Sequence, residues 1–181
     1  MWHALLRDTR FFALLTTLDR DLAEEARAQG CACGGRLHRA HYPRKPRGSP
    51  ADLSPDQERR FSFCCAREGC RRRRTPPSLR FLGRRVYFGV VVVVVTTLAH
   101  GVTPRRAEAL RSELGVDRRT LARWRQWWRA EFPSSAFWRE RRARFSPPVA
   151  VAGLPATLLE RFAAVGEPAG VVSLLRFLAP L

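Results

Sequence analysis

Hydrophobic and polar residues follow a helical pattern over residues 2–29 of the chain. Apolar side chains recur there at steps of three and four, which places them on one stripe of a helix: Phe11, Leu15, Leu18, Leu22 and Ala26. Gly30 follows directly and acts as a stop signal, because glycine is favoured just beyond a helix end. The pattern predicts an amphipathic helix that packs against its own domain.

The longest apolar run extends from Val86 to Ala99 and includes six consecutive valines. Its 14 residues fall short of the roughly 20 that a membrane-spanning helix needs. Valine alone would favour a strand. Helical patterns follow at 104–114 and 118–131, however, and the motif that they form requires another helix before it. We therefore predict a buried helix at about residues 84–99.

The pattern changes again after residue 131. Residues 132–135 have the composition of a linker, an Arg-dense stretch follows, and Pro147 with Pro148 ends any helix there. Two further apolar patterns, at 154–165 and 171–178, predict short helices.

These elements divide the chain into four segments. They are an N-terminal amphipathic helix (1–30), a zinc ribbon (31–78), a helix-turn-helix (79–131), and a basic linker with a C-terminal helical tail (132–181). The predicted fold class is mainly α, with a small zinc-ribbon β-hairpin element and a tri-helical helix-turn-helix core with flanking helices.

The second segment is rich in Cys, Gly, Pro and Arg and cannot build an apolar core alone. Charged residues interrupt the first 18 residues, which predicts no secretory signal and a cytoplasmic location. A reducing cytoplasm favours a metal over disulfides as the stabilising link. The five cysteines fall into two clusters separated by 30 residues, the layout of a two-knuckle zinc ribbon. The predicted zinc (Zn²⁺) ligands are Cys31, Cys33, Cys65 and Cys70.

Alternatives to this ligand set are open at both knuckles. With Cys65 as ligand, the second knuckle encloses four residues, within the usual spacing, so Cys64 is the spare. Only one residue separates Cys31 from Cys33. If Cys31 points away, His38 could complete a Cys₃His site, with His41 as a poorer candidate. Free buried thiols are the further alternative. Four protein ligands would leave no open position, which indicates a structural site.

The third segment matches the helix-turn-helix template. Its apolar residues fall where the template locks two helices together: Leu110, Leu114, Val116, Leu121 and Trp124. The outward face of the second helix would then present Arg118, Arg119, Arg123 and Gln126 to base edges. Arg125 and Arg129 could contact phosphates.

Charge favours a polyanionic partner. The chain carries 33 Lys and Arg residues against 16 Asp and Glu, a net charge of +17, and the excess lies between residues 31 and 146. Double-stranded DNA is the predicted partner, because clustered cations release the counterions condensed on its phosphates. A further set of predicted DNA-binding residues directly follows the last zinc ligand: Arg71, Arg72, Arg73 and Arg74.

The order of these parts is that of a known class of proteins. Cys33-Gly34-Gly35, the Arg-rich stretch 65–75 and the helices ending in 118–124 together resemble the zinc-ribbon and helix-turn-helix proteins of bacterial insertion sequences, over about residues 31–131. The resemblance implies a transposase DNA-binding region or accessory protein that binds the element's own ends or promoter. Such transposases cut DNA with three carboxylates and two metal ions, but only four glutamates and no Asp occur from residue 131 onward. We therefore expect no enzyme activity.

The resulting prediction is a sequence-specific double-stranded DNA-binding protein of mobile-element origin without a catalytic domain. The alternative is an accessory protein that holds a partner, such as a transposase or recombinase, through the ribbon and the apolar tail 171–181, with only non-specific DNA affinity. No membrane partner is expected. A homodimer is compatible with the motif, because helix-turn-helix proteins often pair to read two half-sites.

Overall fold

The computed structural model describes residues 2–44, 46–48, 53–83, 85–98 and 103–181. The fold is mainly helical with a small antiparallel sheet, as predicted. The helices are α1 (Trp2–Leu5), α2 (Thr9–Ala28), α3 (Gly89–Leu98), α4 (Pro104–Leu114), α5 (Arg118–Gln126), α6 (Phe132–Ser134), α7 (Ala136–Arg141), α8 (Ala156–Ala163) and α9 (Ala169–Leu178). The strands are β1 (Leu37–Arg39), β2 (Tyr42–Pro43), β3 (Arg59–Arg60), β4 (Phe63–Cys65) and β5 (Arg73–Arg74).

The predicted N-terminal helix is divided into α1 and α2. Asp8 begins α2, because its carboxylate accepts a hydrogen bond from the Arg10 N–H at 2.9 Å. The buried stripe of α2 includes Leu15, Asp19 and Ala23, whereas the predicted stripe residues Leu18 and Leu22 are only half-buried. The stripe is thus rotated slightly from the expected one, and it contains a carboxylate.

The small sheet has the strand order β1-β4-β5, all antiparallel, and β2 pairs with β3 beside it. Leu37 lies opposite Cys65, and Phe63 opposite Arg74. The side chains of Leu37, Phe61, Phe63 and Cys65 form a small core with Ala23 of α2. The ribbon therefore rests on the C-terminal half of α2.

The valine run is a buried helix, as predicted. All six side chains from Val90 to Val95 are fully buried in α3. The helix begins at Gly89 rather than at residue 84, because Phe88 instead forms a β-bridge with Phe81. Packing from all sides has overridden the β-propensity of valine.

Two helices, α4 and α5, follow α3 and are joined by a three-residue turn. Gly115 adopts φ +63°, a left-handed conformation that glycine accepts without strain. Its carbonyl accepts a hydrogen bond from the Tyr87 hydroxyl at 2.7 Å, and Val116 is buried next to it. The end of α4 is thereby fixed against the segment that leads into α3.

The prediction of a basic linker after residue 131 is wrong. The chain continues from α5 through a π-helical segment, Trp127–Glu131, into α6 and then α7. Phe132 is fully buried, with its ring centroid 4.8 Å from Trp128 and 5.1 Å from Trp138. Pro133 is compatible with this path, because it lies in the first turn of α6, where no N–H is needed.

The C-terminal tail belongs to the main hydrophobic core. Both predicted helices are present, as α8 and α9. Four side chains of α9 are buried in the core that also contains the six valines: Val171, Leu174, Leu175 and Leu178. The tail is therefore occupied by intramolecular packing and offers no free apolar face of these residues to a partner.

Candidate metal centre and basic surface

Two knuckles bring four thiols together beside the end of α2. Cys31 and Cys33 lie in a tight turn in which the Gly34 N–H donates to the Cys31 carbonyl at 2.8 Å. Gly35 has to be glycine, because a Cβ there would lie 2.6 Å from the Cys65 sulfur. Cys65 ends β4 and Cys70 lies in the turn that follows, so the sheet register fixes the second knuckle against the first.

The four sulfur atoms form a compact group. All lie within 4.8 Å of one another, with Cys33 to Cys65 at 3.5 Å and Cys31 to Cys70 at 3.8 Å. A tetrahedral Zn²⁺ site with bonds of about 2.3 Å would have sulfur–sulfur edges of about 3.8 Å. The four cysteines could therefore bind a metal ion, and no disulfide joins them.

The alternative ligands lie elsewhere. The Cys64 thiol donates to the Arg71 carbonyl at 3.4 Å. His41 Nδ1 accepts a hydrogen bond from the Ser62 N–H at 3.1 Å. His38, opposite Cys64 on β1, does not belong to the group of close ligand atoms found among the described residues. The structure thus brings together the four cysteines that the spacing selected.

Backbone amides and neighbouring thiols give the cysteines of this group different pKa values. The Gly35 N–H and hydrogen bonds from the other three thiols lower the pKa of Cys33 to about 6. The Arg67 N–H favours the thiolate of Cys65, but burial and the adjoining thiols outweigh it and raise the pKa of Cys65 to about 12. A divalent cation would bind these sulfur atoms in competition with protons, so its binding would release protons.

The Arg-rich stretch after the second knuckle contains two kinds of side chain. Arg71, Arg72 and Arg73 are exposed, and Arg73 lies over the Tyr42 ring at 5.5 Å. Arg74 instead donates to the Gly30 carbonyl at 2.6 Å and to the side-chain oxygen of Gln29. Three of the four arginines in this predicted DNA-binding stretch are thus at the surface, while Arg74 ties β5 to the C-terminal end of α2.

Helix α5 has a buried side and a basic side. The Asp117 carboxylate accepts a hydrogen bond from the Thr120 N–H at 2.6 Å, which begins the helix. Thr120, Leu121 and Trp124 are buried, and Arg125 is half-buried. The exposed residues of α5 include Arg118, Arg119, Ala122, Arg123 and Gln126, and Arg129 is exposed in the π-helical segment that follows.

A stacked arginine, absent from the sequence prediction, extends this basic side. The Arg85 guanidinium lies 3.9 Å from the ring centroid of Trp127. Both residues line a pocket of about 470 Å³ together with Arg123 and Glu131. Burial lowers the pKa of Arg85, and the charge of Glu131 opposes this shift. Arg85 lies before α3, far from α5 in sequence, so no local sequence pattern predicts its contact with Trp127.

A fully buried ion pair holds the ribbon against α2. Arg80 Nε donates to Asp19 at 2.8 Å, and both side chains are fully buried. The remaining donors of Arg80 bind the carbonyls of Asp56, Gln57 and Arg59 at 2.7–3.0 Å. This single guanidinium therefore links α2, the loop before β3 and the segment that leads to α3.

Comparison with known proteins returns no match: no protein-family model, no curated protein and no solved structure matches the chain. The resemblance to insertion-sequence proteins therefore rests on the motifs alone. Within the described residues, every helix is too short or too polar to span a membrane.

Proposed function

We propose that the protein is a sequence-specific double-stranded DNA-binding protein in which α3, α4 and α5 form a helix-turn-helix. The observation that carries the proposal is the two-sided character of α5. Its inner side is buried, and its outer side presents Arg118, Arg119, Arg123 and Gln126 to solvent. Arginine can donate two hydrogen bonds to guanine and glutamine can pair with adenine, so this set suits the major groove.

The ribbon would contribute phosphate contacts and rigidity. We propose that the four cysteines hold one Zn²⁺, because a tetrahedral group of four thiolates suits zinc and leaves no open position for catalysis. Arg71, Arg72 and Arg73 lie beside this group and are exposed. Cations fixed on a rigid support can neutralise backbone phosphates without reading sequence.

The test is selection of bound duplexes from a random pool, followed by fluorescence anisotropy on the selected and a scrambled duplex. Arg119→Ala and Arg123→Ala should each lose about 1–3 kcal/mol of discrimination between the two duplexes. Arg72→Ala should weaken both equally and reduce the salt slope by about one. Arg10→Ala, an exposed arginine of α2, is the control. Failure to enrich any sequence, or equal losses on both duplexes for every variant, would refute the proposal.

Zinc is tested separately by elemental analysis of protein purified without added metal. We expect one zinc per chain, its loss in Cys33→Ser and Cys70→Ser, and its retention in Cys64→Ser. A chain without zinc, or a Cys64→Ser variant that loses it, would contradict the assignment.

Mobile-element origin is the final part of the proposal and rests on the resemblance of the motifs. A protein that binds the ends of its own element should select a sequence that occurs as two inverted copies around its own gene. A selected sequence scattered among unrelated promoters would indicate a general regulator instead.

A further inference from the structure

A second basic site lies on the ribbon, away from the cysteines. A pocket of about 390 Å³ opens where the ribbon meets the segment before α3 and the C-terminal residues. Its wall includes two arginines and two hydroxyl-bearing residues, with an apolar part beside them: Arg44, Arg60, Tyr42, Thr75, Phe81 and Pro180. No acidic side chain is among its described lining residues.

Both arginines have donors without a partner. Arg60 is 7% exposed, and its Nη2 donates to the Pro76 carbonyl at 2.6 Å. Its Nη1 is buried and finds no acceptor among the described residues. Arg44 Nη2 donates to the Arg85 carbonyl at 3.1 Å, whereas its Nε is also buried without an acceptor in the described part of the chain. Buried donors of this kind are uncommon and point to a missing acceptor.

The side chains around the pocket carry more positive than negative charge. The guanidinium groups of Arg44, Arg60 and Arg80 all lie within 6 Å of the Phe81 ring centroid, at 5.8, 5.9 and 5.2 Å. Asp19 pairs with Arg80, and no described carboxylate forms an ion pair with Arg44 or Arg60. Burial lowers the pKa of Arg60. The charge of Asp19 opposes this shift, and the charges of Arg80 and Arg44 add to it. A buried cation is costly unless an anion accompanies it.

We propose that this pocket binds a phosphate group, with Arg44 and Arg60 as its cationic ligands and Tyr42 and Thr75 as further hydrogen-bond donors. Several oxygens on one phosphate can accept hydrogen bonds from two guanidinium groups at once. The phosphate can belong to a small molecule or to a nucleic-acid backbone. The proposal is independent of sequence reading by α5.

The test is calorimetric titration of inorganic phosphate into the full chain, with chloride at matched ionic strength as reference. Both arginines also bind backbone carbonyls, but Arg60 is the more deeply buried of the two, so its replacement would disturb folding more. The test therefore uses Arg44→Met and Thr75→Val, with Arg10→Met as the matched control. We expect one saturable site in the wild type and in Arg10→Met, at least ten-fold weaker binding in Arg44→Met, and several-fold weaker binding in Thr75→Val. Binding no tighter than that of chloride in the wild type, or unchanged binding in Arg44→Met, would overturn the assignment.

Duplex affinity, measured on the same variants, identifies the source of the phosphate. A parallel loss of duplex and phosphate binding in Arg44→Met would assign a DNA backbone phosphate to the pocket. Loss of phosphate binding with unchanged duplex affinity would assign a phosphorylated small molecule. If the wild type binds no duplex, the proposed function fails. The phosphate titration still shows whether the pocket binds phosphate.

Discussion

The cysteine ribbon and the helical core bury very different amounts of apolar side chain. The ribbon's own core is a handful of residues around Phe61 and Phe63. The helical core extends from Leu5 to Leu178 and contains a fully buried valine run. The ribbon compensates for its small core with directional polar contacts. These are the contacts among the four cysteine thiols and the hydrogen bonds of the Arg80 guanidinium. A region held by a few directional contacts should fail when one of them is removed, whereas a packed core should weaken in proportion to the volume removed.

Removal of the proposed zinc should have the largest effect and should destabilise the ribbon while leaving the helical core folded. Structural zinc supplies about 10–16 kcal/mol of apparent binding free energy in zinc-finger peptides, more than the small ribbon core can replace. In Cys65→Ser, amide hydrogen exchange should lose protection in β1 and β4, while the amides of Val90 to Val95 stay protected. Cys64→Ser is the matched control and should exchange like the wild type. Uniform loss of protection through both regions would show that they fold as one unit.

The buried ion pair should give the next largest effect. Arg80→Met leaves the Asp19 carboxylate buried without its cation and should cost about 3–5 kcal/mol in the free energy of unfolding. Arg111 provides the control, because its contact with Glu108 at 2.7 Å is fully at the surface and Arg111→Met should change little. Urea denaturation of both variants measures the difference. Equal stability of the two variants would show that the contacts of Arg80 do not stabilise the ribbon.

A single truncation in the tail tests the packed core. Leu174 is fully buried, so Leu174→Ala should cost about 2–5 kcal/mol. Leu14 is 40% exposed on α2, and Leu14→Ala should have a small effect. The same denaturation measurement applies. A stable Leu174→Ala variant would mean that α9 is held loosely and is available to a partner after all.

The predictions from sequence succeeded where the signal was local. Helical periodicity and the spacing of the cysteines within each knuckle act over a few residues, and each could be read directly from the chain. The valine run was correctly predicted to be a helix, because the motif formed by the helical patterns at 104–114 and 118–131 requires a helix before it. Asp19 was missed, although it lies at the helical spacing from Leu15 and Ala23 that marks the buried stripe. Its partner Arg80 is 61 residues away, and no local pattern connects the two.

The wrong linker prediction has a different cause. Pro133 and the two serines after it give residues 132–135 the composition of a linker, and an Arg-dense stretch follows. The aromatic residues at 132 and 138 carried the opposite signal, because they contact Trp128, one another and Phe145, which are all close in sequence. Trp128 and Phe132 lie at helical spacing, so this signal was local and was outweighed by the linker-like composition of residues 132–135.

The smallest expected effect concerns a directional contact within the well-packed helical region. The hydrogen bond from the Thr120 backbone N–H is the main reason that the pKa of Asp117 lies below its usual value. The stabilisation by this cap is therefore complete above the unfolded-state pKa of about 3.9 and is lost as the pH falls through the lower folded-state pKa. Asp117→Asn keeps a good cap without titrating, so it should match the wild type at pH 7.

Thermal unfolding of the two proteins between pH 7 and pH 2 checks this expectation. The unfolding midpoint of Asp117→Asn should fall less steeply than that of the wild type below about pH 4, and Asp117→Ala should be less stable than both at pH 7. The differences should be smaller than those from Arg80 or Leu174, because the core holds α5 even when its cap is weakened. Parallel curves for the wild type and Asp117→Asn would show that the carboxylate charge contributes nothing. An Asp117→Ala variant that unfolds like the Arg80 variant would mean that α5, like the ribbon, depends on single polar contacts.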